Sequence, residues 1–249
     1  MAIKPFAAKP ILLEKVWGGS RLKDFGRDIP QGLAVGESWE VSDYENRYSF
    51  VSALPYGNTT LHDLLARHGE EILGQAEYDP RGRFPLLFKL IDASERLSLQ
   101  VHPDDDTAAK LNDPNGGKEE AWFVLAAEEN ARLALGLRDG VTTDDFFRAI
   151  QADKEDDVVN WTTVQPGDFV VVRPGLVHAI DAGIVLAEIQ QTSDATYRLS
   201  DWGSGRNRPM HHEQGRIAIR PELKAEIIQT SERDRSDSHL CFTSKLTVR

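Results

Sequence analysis

The tightest constraint in this 249-residue sequence is the run Leu97-Ser98-Leu99-Gln100-Val101-His102-Pro103, in which aliphatic and polar residues alternate up to a proline. Successive side chains of a β-strand point to opposite faces. Leu97, Leu99 and Val101 therefore share one face, and Ser98, Gln100 and His102 form a polar row on the other. Downstream, Lys118-Glu119-Glu120 leads into the apolar run Ala121-Trp122-Phe123-Val124-Leu125-Ala126, which puts Glu120 at the start of another strand. Imidazole, amide oxygen and carboxylate are donors that a borderline divalent metal such as zinc accepts without cysteine. A further donor has to come from elsewhere in the chain. His178, after the turn at Pro174-Gly175, supplies that type.

The rest of the chain reads as short strands with a few helices. Trp17-Gly18-Gly19, Pro30-Gln31-Gly32 and Pro55-Tyr56-Gly57-Asn58 interrupt the first sixty residues, and Trp39 and Val41 alternate with polar neighbours between them. Thr60 to His68 predicts a helix capped by Thr60 with Asp63 three residues on; His62 and His68 fall on its solvated side. Phe84 to Ile91 suits a strand buried on both faces. Lys89 within it reads, on residue type alone, as a structural lysine paired with a carboxylate.

Short helices are predicted over Asp104 to Asn112 and, capped by Thr143, over Asp144 to Gln151, with Phe146, Phe147 and Ile150 inward. The charge run Asp153 to Asp157 reads as a solvated loop. Val164 to Ile180 reads as turn, strand, turn, strand, a hairpin pattern. Gly183 to Gln191 is a buried strand containing Glu188, a carboxylate that must be paired, metal-bound or held at a raised pKa. Glu222 to His239 is charged and turn-rich, a linker before a last alternating strand from Leu240 to Val248.

A formal charge of -11 argues against nucleic acid or an anionic membrane as partner, since both require a dense basic surface. The single cysteine, Cys241, excludes an internal disulfide and a thiolate metal cage. No apolar run is long enough to span a bilayer, and Met1 to Phe6 carries no signal-peptide core, so the expected address is the cytoplasm. Glycine-rich nucleotide loops and the Gly-x-Ser-x-Gly elbow are absent.

In chain order, the motifs Trp17-Gly18-Gly19, Gly36-Glu37-Ser38-Trp39-Glu40-Val41-Ser42, Phe84-Pro85-Leu86-Leu87-Phe88-Lys89, Leu97 to Asp104, Gly117-Lys118-Glu119-Glu120-Ala121-Trp122, Pro166-Gly167-Asp168, Gly175 to Ile180 and Glu188 to Arg198 resemble the type I mannose-6-phosphate isomerases of the cupin superfamily, in their short bacterial form. The resemblance runs from about Pro10 to about Ile219. It implies a mainly β fold, a cupin-type jelly-roll barrel (double-stranded β-helix) with a few short helices. It implies one Zn2+ per chain, or another divalent metal, bound by Gln100, His102, Glu120 and His178. Ser98 and Lys89 are implied to contact a substrate phosphate, which reverses the residue-level reading of Lys89. Lys118, Glu188, Asp194 and Arg198 are implied to line the reacting end.

The implied activity interconverts mannose 6-phosphate and fructose 6-phosphate through an enediol, with Glu188 or Lys118 moving protons. The alternative is a non-catalytic cupin that binds a sugar phosphate or metal in a regulatory role; a metal-dependent oxygenase is disfavoured by the glutamine donor. Partners are accordingly a small sugar phosphate, no nucleic acid and no membrane, in a monomer or homodimer. Residues 1–221 are expected to form the metal-binding domain with inserted helices, and 222–249 a linker and single strand left from the family's further C-terminal β domain. Two local departures stand out. Glu119 occupies a position where the family usually has threonine or proline, and the proline before the turn glycine is shifted by one, as Arg173-Pro174-Gly175.

Overall fold

The computed structural model describes residues 5–51, 59–229, 240–241 and 247–248. Its strands are β1 (Ile11–Gly19), β2 (Val35–Val41), β3 (Asp43–Tyr44), β4 (Arg47–Tyr48), β5 (Leu86–Ala93), β6 (Leu99–Val101), β7 (Glu120–Ala127), β8 (Arg132–Leu137), β9 (Val159–Thr163), β10 (Phe169–Val172), β11 (His178–Ile180), β12 (Ile184–Gln191), β13 (Tyr197–Ser200), β14 (Glu226–Ile228), β15 (Leu240–Cys241) and β16 (Thr247–Val248). The helices are α1 (Leu61–Leu73), α2 (Asp105–Lys110), α3 (Thr143–Gln151) and α4 (His212–Ala218). Seven strands form one sheet in the order β1-β2-β5-β12-β7-β10-β14, and five form a second in the order β13-β6-β11-β8-β9.

From β5 onward the chain changes sheet at nearly every connection, the β8–β9 hairpin excepted. That alternation is the jelly-roll pattern. The expected mainly β, cupin-type architecture is therefore present, as two facing sheets; among the described residues no ladder joins them into a closed barrel. No helix among the described residues is long and apolar enough to cross a membrane.

The period of two positions the site. Ile91, Trp122, Val124, Ile184 and Leu186 from the larger sheet meet Leu133, Leu135 and Ile180 from the smaller one in a shared core. Two residues along from these core positions on the same strand faces come Lys89, Glu120, Glu188 and His178. The inner faces thus change from apolar to charged at one end of the sandwich. The outer face of the smaller sheet, through Leu99, Val101 and Ala179, is covered by Phe146 and Phe147 of α3 and by Ala218 of α4.

Several local expectations are corrected. Thr60 and Asp63 form the predicted capping box on α1. The cap of α3, however, is Thr142 rather than Thr143, because Asp145 sits three residues after Thr142 and closes a reciprocal box with it. The 164–180 segment is not a hairpin. β10 pairs with β7 and β14, β11 pairs with β6 and β8, and the turn at Gly175 (φ +91°) carries the chain between sheets. His62 is exposed as expected, and in addition its Nδ1 lies 2.9 Å from buried Asp43 and its ring stacks on Tyr48. Within the charge run, Glu155 is buried and accepts a hydrogen bond from Ser200 Oγ. Glu226–Ile228 adds an edge strand to the larger sheet, and β15 pairs antiparallel with β16. Most of the expected linker and last strand, 230–239 and 242–246, lies outside the described residues.

Two features fix the walls of the sandwich. At Gly36 a Cβ would fall 2.6 Å from both Lys15 Cβ and the Trp17 ring, so β1 and β2 approach more closely there than any side chain allows. On the other side, Asp181 accepts from Arg96 Nε (2.8 Å) and Arg132 Nε (2.9 Å), while the Arg96 guanidinium lies 4.9 Å from the Trp161 ring centre and 4.7 Å from that of Trp202. Burial opposes ionisation of Asp181, but the hydrogen bonds from Arg96 and Arg132 outweigh it and hold its carboxyl below the usual range.

Gly36→Ala is expected to cost about 1–3 kcal/mol by overpacking, lowering the melting temperature by roughly 3–10 °C for a chain of this size; an unchanged melt would show that the contact relaxes freely. Asp181→Asn should cost ~1–3 kcal/mol at neutral pH. Because the folded pKa is depressed, that stability is complete above the unfolded carboxyl pKa of about 4 and is lost as pH falls through the folded value. Chemical denaturation of both proteins should therefore show a gap that closes on the acid side of about pH 4.

Candidate active site

The charged end of the sandwich is built from strand register. Gln100 on β6 stands opposite His178 on β11 and Arg198 on β13; Glu188 on β12 stands opposite Lys89 on β5 and Trp122 on β7. His102 follows directly on β6, and Glu120 opens β7. His102 Nε2 lies 3.5 Å from Glu120 Oε2, and His178 Nε2 lies 3.5 Å from Glu120 Oε1. The three are fully buried, and their ligating atoms lie within 4.8 Å of one another.

Main-chain carbonyls orient both imidazoles. His102 Nδ1–H donates to Ala195 O at 2.7 Å, and His178 Nδ1–H donates to Leu176 O at 2.9 Å, so each Nε2 lone pair is directed inward. Burial, then the nearby Lys118 charge, pushes the His102 pKa down to about 3; burial lowers that of His178. Burial opposes the charge on Glu120, but Lys118 and the imidazoles outweigh it and hold its carboxyl well below the ordinary range. Lys118 Nζ is 2.9 Å from Glu120 Oε2, an ion pair without hydrogen-bond alignment, and among the described residues no hydrogen bond reaches His102 Nε2 or either Glu120 oxygen.

Two neutral imidazoles and one carboxylate, buried with their acceptor atoms unsatisfied, fit a divalent cation. Gln100 Nε2 is 3.2 Å from His178 Nε2. A half-turn of its amide brings the carbonyl oxygen to the same place as a fourth donor.

Beside the donors is a cavity of about 300 Å3 whose wall includes Lys89, Ser98, Gln100, Lys118, Asp194 and Arg198, with Glu188 beneath. Its charges alternate in space. Lys15 Nζ pairs with Glu37 Oε1 at 3.2 Å, Lys89 Nζ with Glu188 Oε1 at 3.2 Å, and Lys118 with Glu120. Indole N–H groups hold the remaining oxygens, Trp39 on Glu37 Oε2 (2.8 Å) and Trp122 on Glu188 Oε2 (2.9 Å). Burial and the charge of Glu120 raise the Glu188 pKa against the pull of Lys89 and Lys118. Burial works against the charge on Lys89, but Glu188 and then Glu37 more than offset it and shift its pKa upward.

All ten residues singled out in the sequence thus gather at one end of the sandwich. Lys89 combines both of its readings: it is paired with a carboxylate, and it lines the cavity. Sequence reasoning did not select Glu37, Lys15, Trp122 or Arg208. For Glu37 the signal was present, a carboxylate two residues before a tryptophan in an otherwise buried strand. For Arg208 there was none, because it lies in an irregular segment.

Comparison with known proteins places these features in context. A family model described as the phosphomannose isomerase type I catalytic domain matches residues 6–124. Mannose-6-phosphate isomerase ManA of Bacillus subtilis is 37% identical over 215 residues, covering 85% of this chain and 66% of that protein. The chain thus spans just under two thirds of that relative's length. The crystal structure of the mannose 6-phosphate isomerase from Bacillus subtilis superposes with a TM-score of 0.78 at 35% identity, covering 88% of this chain and 70% of that one. A zinc-bound mannose 6-phosphate isomerase structure shares the fold, with a TM-score of 0.69 at 17% identity over 88% of this chain and 75% of that chain.

If these side chains bind the metal, His102→Ala should lower zinc affinity by more than the roughly 10–100-fold typical of outer-shell changes, and Gln100→Ala by an amount nearer that range. Metal content after dialysis against a chelator reads both. Stoichiometric zinc retained in both variants would remove the donor assignment.

Proposed function

The chain belongs to the type I phosphomannose isomerase family, and from that premise we propose that it is a zinc-dependent aldose-ketose isomerase that interconverts mannose 6-phosphate and fructose 6-phosphate. The observation that carries this reading is the buried His102–Glu120–His178 donor set, with unsatisfied inward atoms, placed against a cavity that also holds Lys118, Glu188 and Arg198. A sugar-binding protein without turnover needs no such company of proton-transfer and cationic groups beside its metal. Every residue assigned here lies within 1–221.

The reaction moves a proton between C1 and C2 of the opened sugar through an enediol, which calls for a proton carrier and for positive charge near the developing oxyanion. Gln100, His102, Glu120 and His178 are the residues that would hold zinc, which when bound would supply Lewis acidity toward sugar oxygens. Glu188 and Lys118 face the same space and are the groups placed to take up and return the proton; burial and the Glu120 charge make Glu188 hold a proton more readily than an ordinary carboxyl. Trp122 fixes one Glu188 oxygen and leaves the other toward Lys89. Arg198, alongside Gln100, offers a fixed positive charge for oxyanion stabilisation, and Asp194 completes the wall. Ser98, two residues before Gln100 on the same strand face, lies roughly 6–7 Å further along and is assigned with Lys89 to the phosphate end. Holding the phosphate there fixes which carbons reach the proton carriers.

Coupled turnover of mannose 6-phosphate decides the matter. Zinc-loaded protein should convert it, a chelator should abolish conversion, and added zinc should restore it. A fully loaded, folded preparation without turnover would favour the regulatory sugar-phosphate or metal-binding alternative.

A further inference from the structure

Three of the cavity's cations already have a carboxylate each: Lys15 has Glu37, Lys89 has Glu188 and Lys118 has Glu120. A dianionic phosphate drawn to Lys89 alone would meet Glu188 3.2 Å from its ammonium and the field of Glu37 behind it. Charge not yet balanced is found one strand away. Arg198 and Arg208 both line the cavity and, among the described residues, share one buried carboxylate, Asp201. Asp201 takes Arg208 directly, through Nε at 2.8 Å and through Nη2, whereas it acts on Arg198 only at a distance. Burial first, then the facing charge of Arg208, lowers the hold of Arg198 on its proton. Asp194, the other acidic residue of the wall, acts on Lys89 and Tyr44.

Register shows where this pair sits. β13 runs antiparallel to β6 with Arg198 opposite Gln100 and Ser200 opposite Leu99, so the chain beyond Ser200 travels toward Ser98. It is tied there by Trp202 Nε1–H donating to Leu97 O (2.8 Å) and Arg206 Nη1–H donating to Arg96 O (2.8 Å). Asp201 opens that segment, and Arg208 returns to it. Arg198 Nη1–H donates to Pro209 O at 3.0 Å, which fixes the two arginines relative to each other. The grip of Asp201 uses Nε and Nη2 of Arg208; Nη1 takes part in neither bond and, among the described residues, keeps two donors.

We propose that Arg208, held rigid by Asp201, is a substrate-binding residue that seats the phosphate of the sugar phosphate together with Ser98, and thereby sets the requirement for a phosphorylated sugar. The proposal rests on the isomerase reading for its ligand class. A planar guanidinium with free N–H donors, already immobilised by a carboxylate, matches phosphate geometry and binds it with little further ordering.

Titration calorimetry of the zinc-loaded protein with inorganic phosphate, beside steady-state kinetics on mannose 6-phosphate, tests this. Arg208→Ala should weaken phosphate binding about 10- to 100-fold and raise KM by a similar factor, with the effect falling on KM more than on kcat. Arg208→Lys, which keeps the charge and loses the fork, should recover part of both, and it carries the test if Arg208→Ala does not fold. Wild-type protein that fails to bind phosphate, or an Arg208 variant that binds it equally well, overturns the proposal. Phosphate binding that depends on Arg208 in a protein without turnover would sustain the seat while sinking the isomerase reading; turnover with binding indifferent to Arg208 would do the reverse.

Discussion

Everything at the working end of this molecule depends on buried charges neutralising one another. Taking an ion out of water costs several kcal/mol even after relaxation, and here Glu37, Lys89, Glu188, Lys118 and Glu120 are all nearly inaccessible. They are tolerable because opposite signs are brought together, across strands for Lys89 and Glu188 and along one segment for Lys118 and Glu120. Glu188 lies across from Lys89 in the antiparallel register, and the next inward residue of the same strand lies across from Glu120. Glu37, on the strand beyond, is held below the ordinary carboxyl range by Lys89 and Lys15 against its burial. Removing one member leaves a partner uncompensated, so the set behaves as a unit. Its substitutions should be strongly non-additive.

The parts of this arrangement that follow from strand alternation were legible in the sequence. Ser98, Gln100 and His102 share a face because a strand has a period of two, and Glu120 and Glu188 stand out as carboxylates inside apolar runs. The capping boxes were legible to within a residue, since they are local. What the residues alone did not give was partnership. That Glu188 answers Lys89 depends on β5 and β12 being neighbours, although nearly a hundred residues separate them, and the local pattern around either residue carries no such information. The same holds for the turn at Gly175. Pro-Gly between two apolar runs looks like a hairpin, but here it passes the chain to the other sheet, because β10 finds β7 and β11 finds β6.

Irregular segments complete the cavity that the strands begin, through Ser98, Lys118, Asp194 and Arg208. Trp202 and Arg206 reach back to the carbonyls of Leu97 and Arg96, and Arg96 lies against two indole rings while bonded to Asp181. This lattice holds the strand that carries Ser98 from outside, as the core holds it from within. The cavity wall is thereby rigid on both sides of the β6–β13 pair, which suits a site whose polar groups must be in place before a ligand arrives.

The acceptors that orient His102 and His178 belong to the main chain, at Ala195 and Leu176. A substitution at either position exchanges the side chain and leaves the carbonyl where it is. Both imidazole tautomers are therefore shielded from most single-codon changes in their outer partners, whereas lengthening or shortening the 192–196 or 173–177 segments by one residue would misdirect them. Drift in this lineage can rewrite the identities of those loop residues far more freely than it can alter their number.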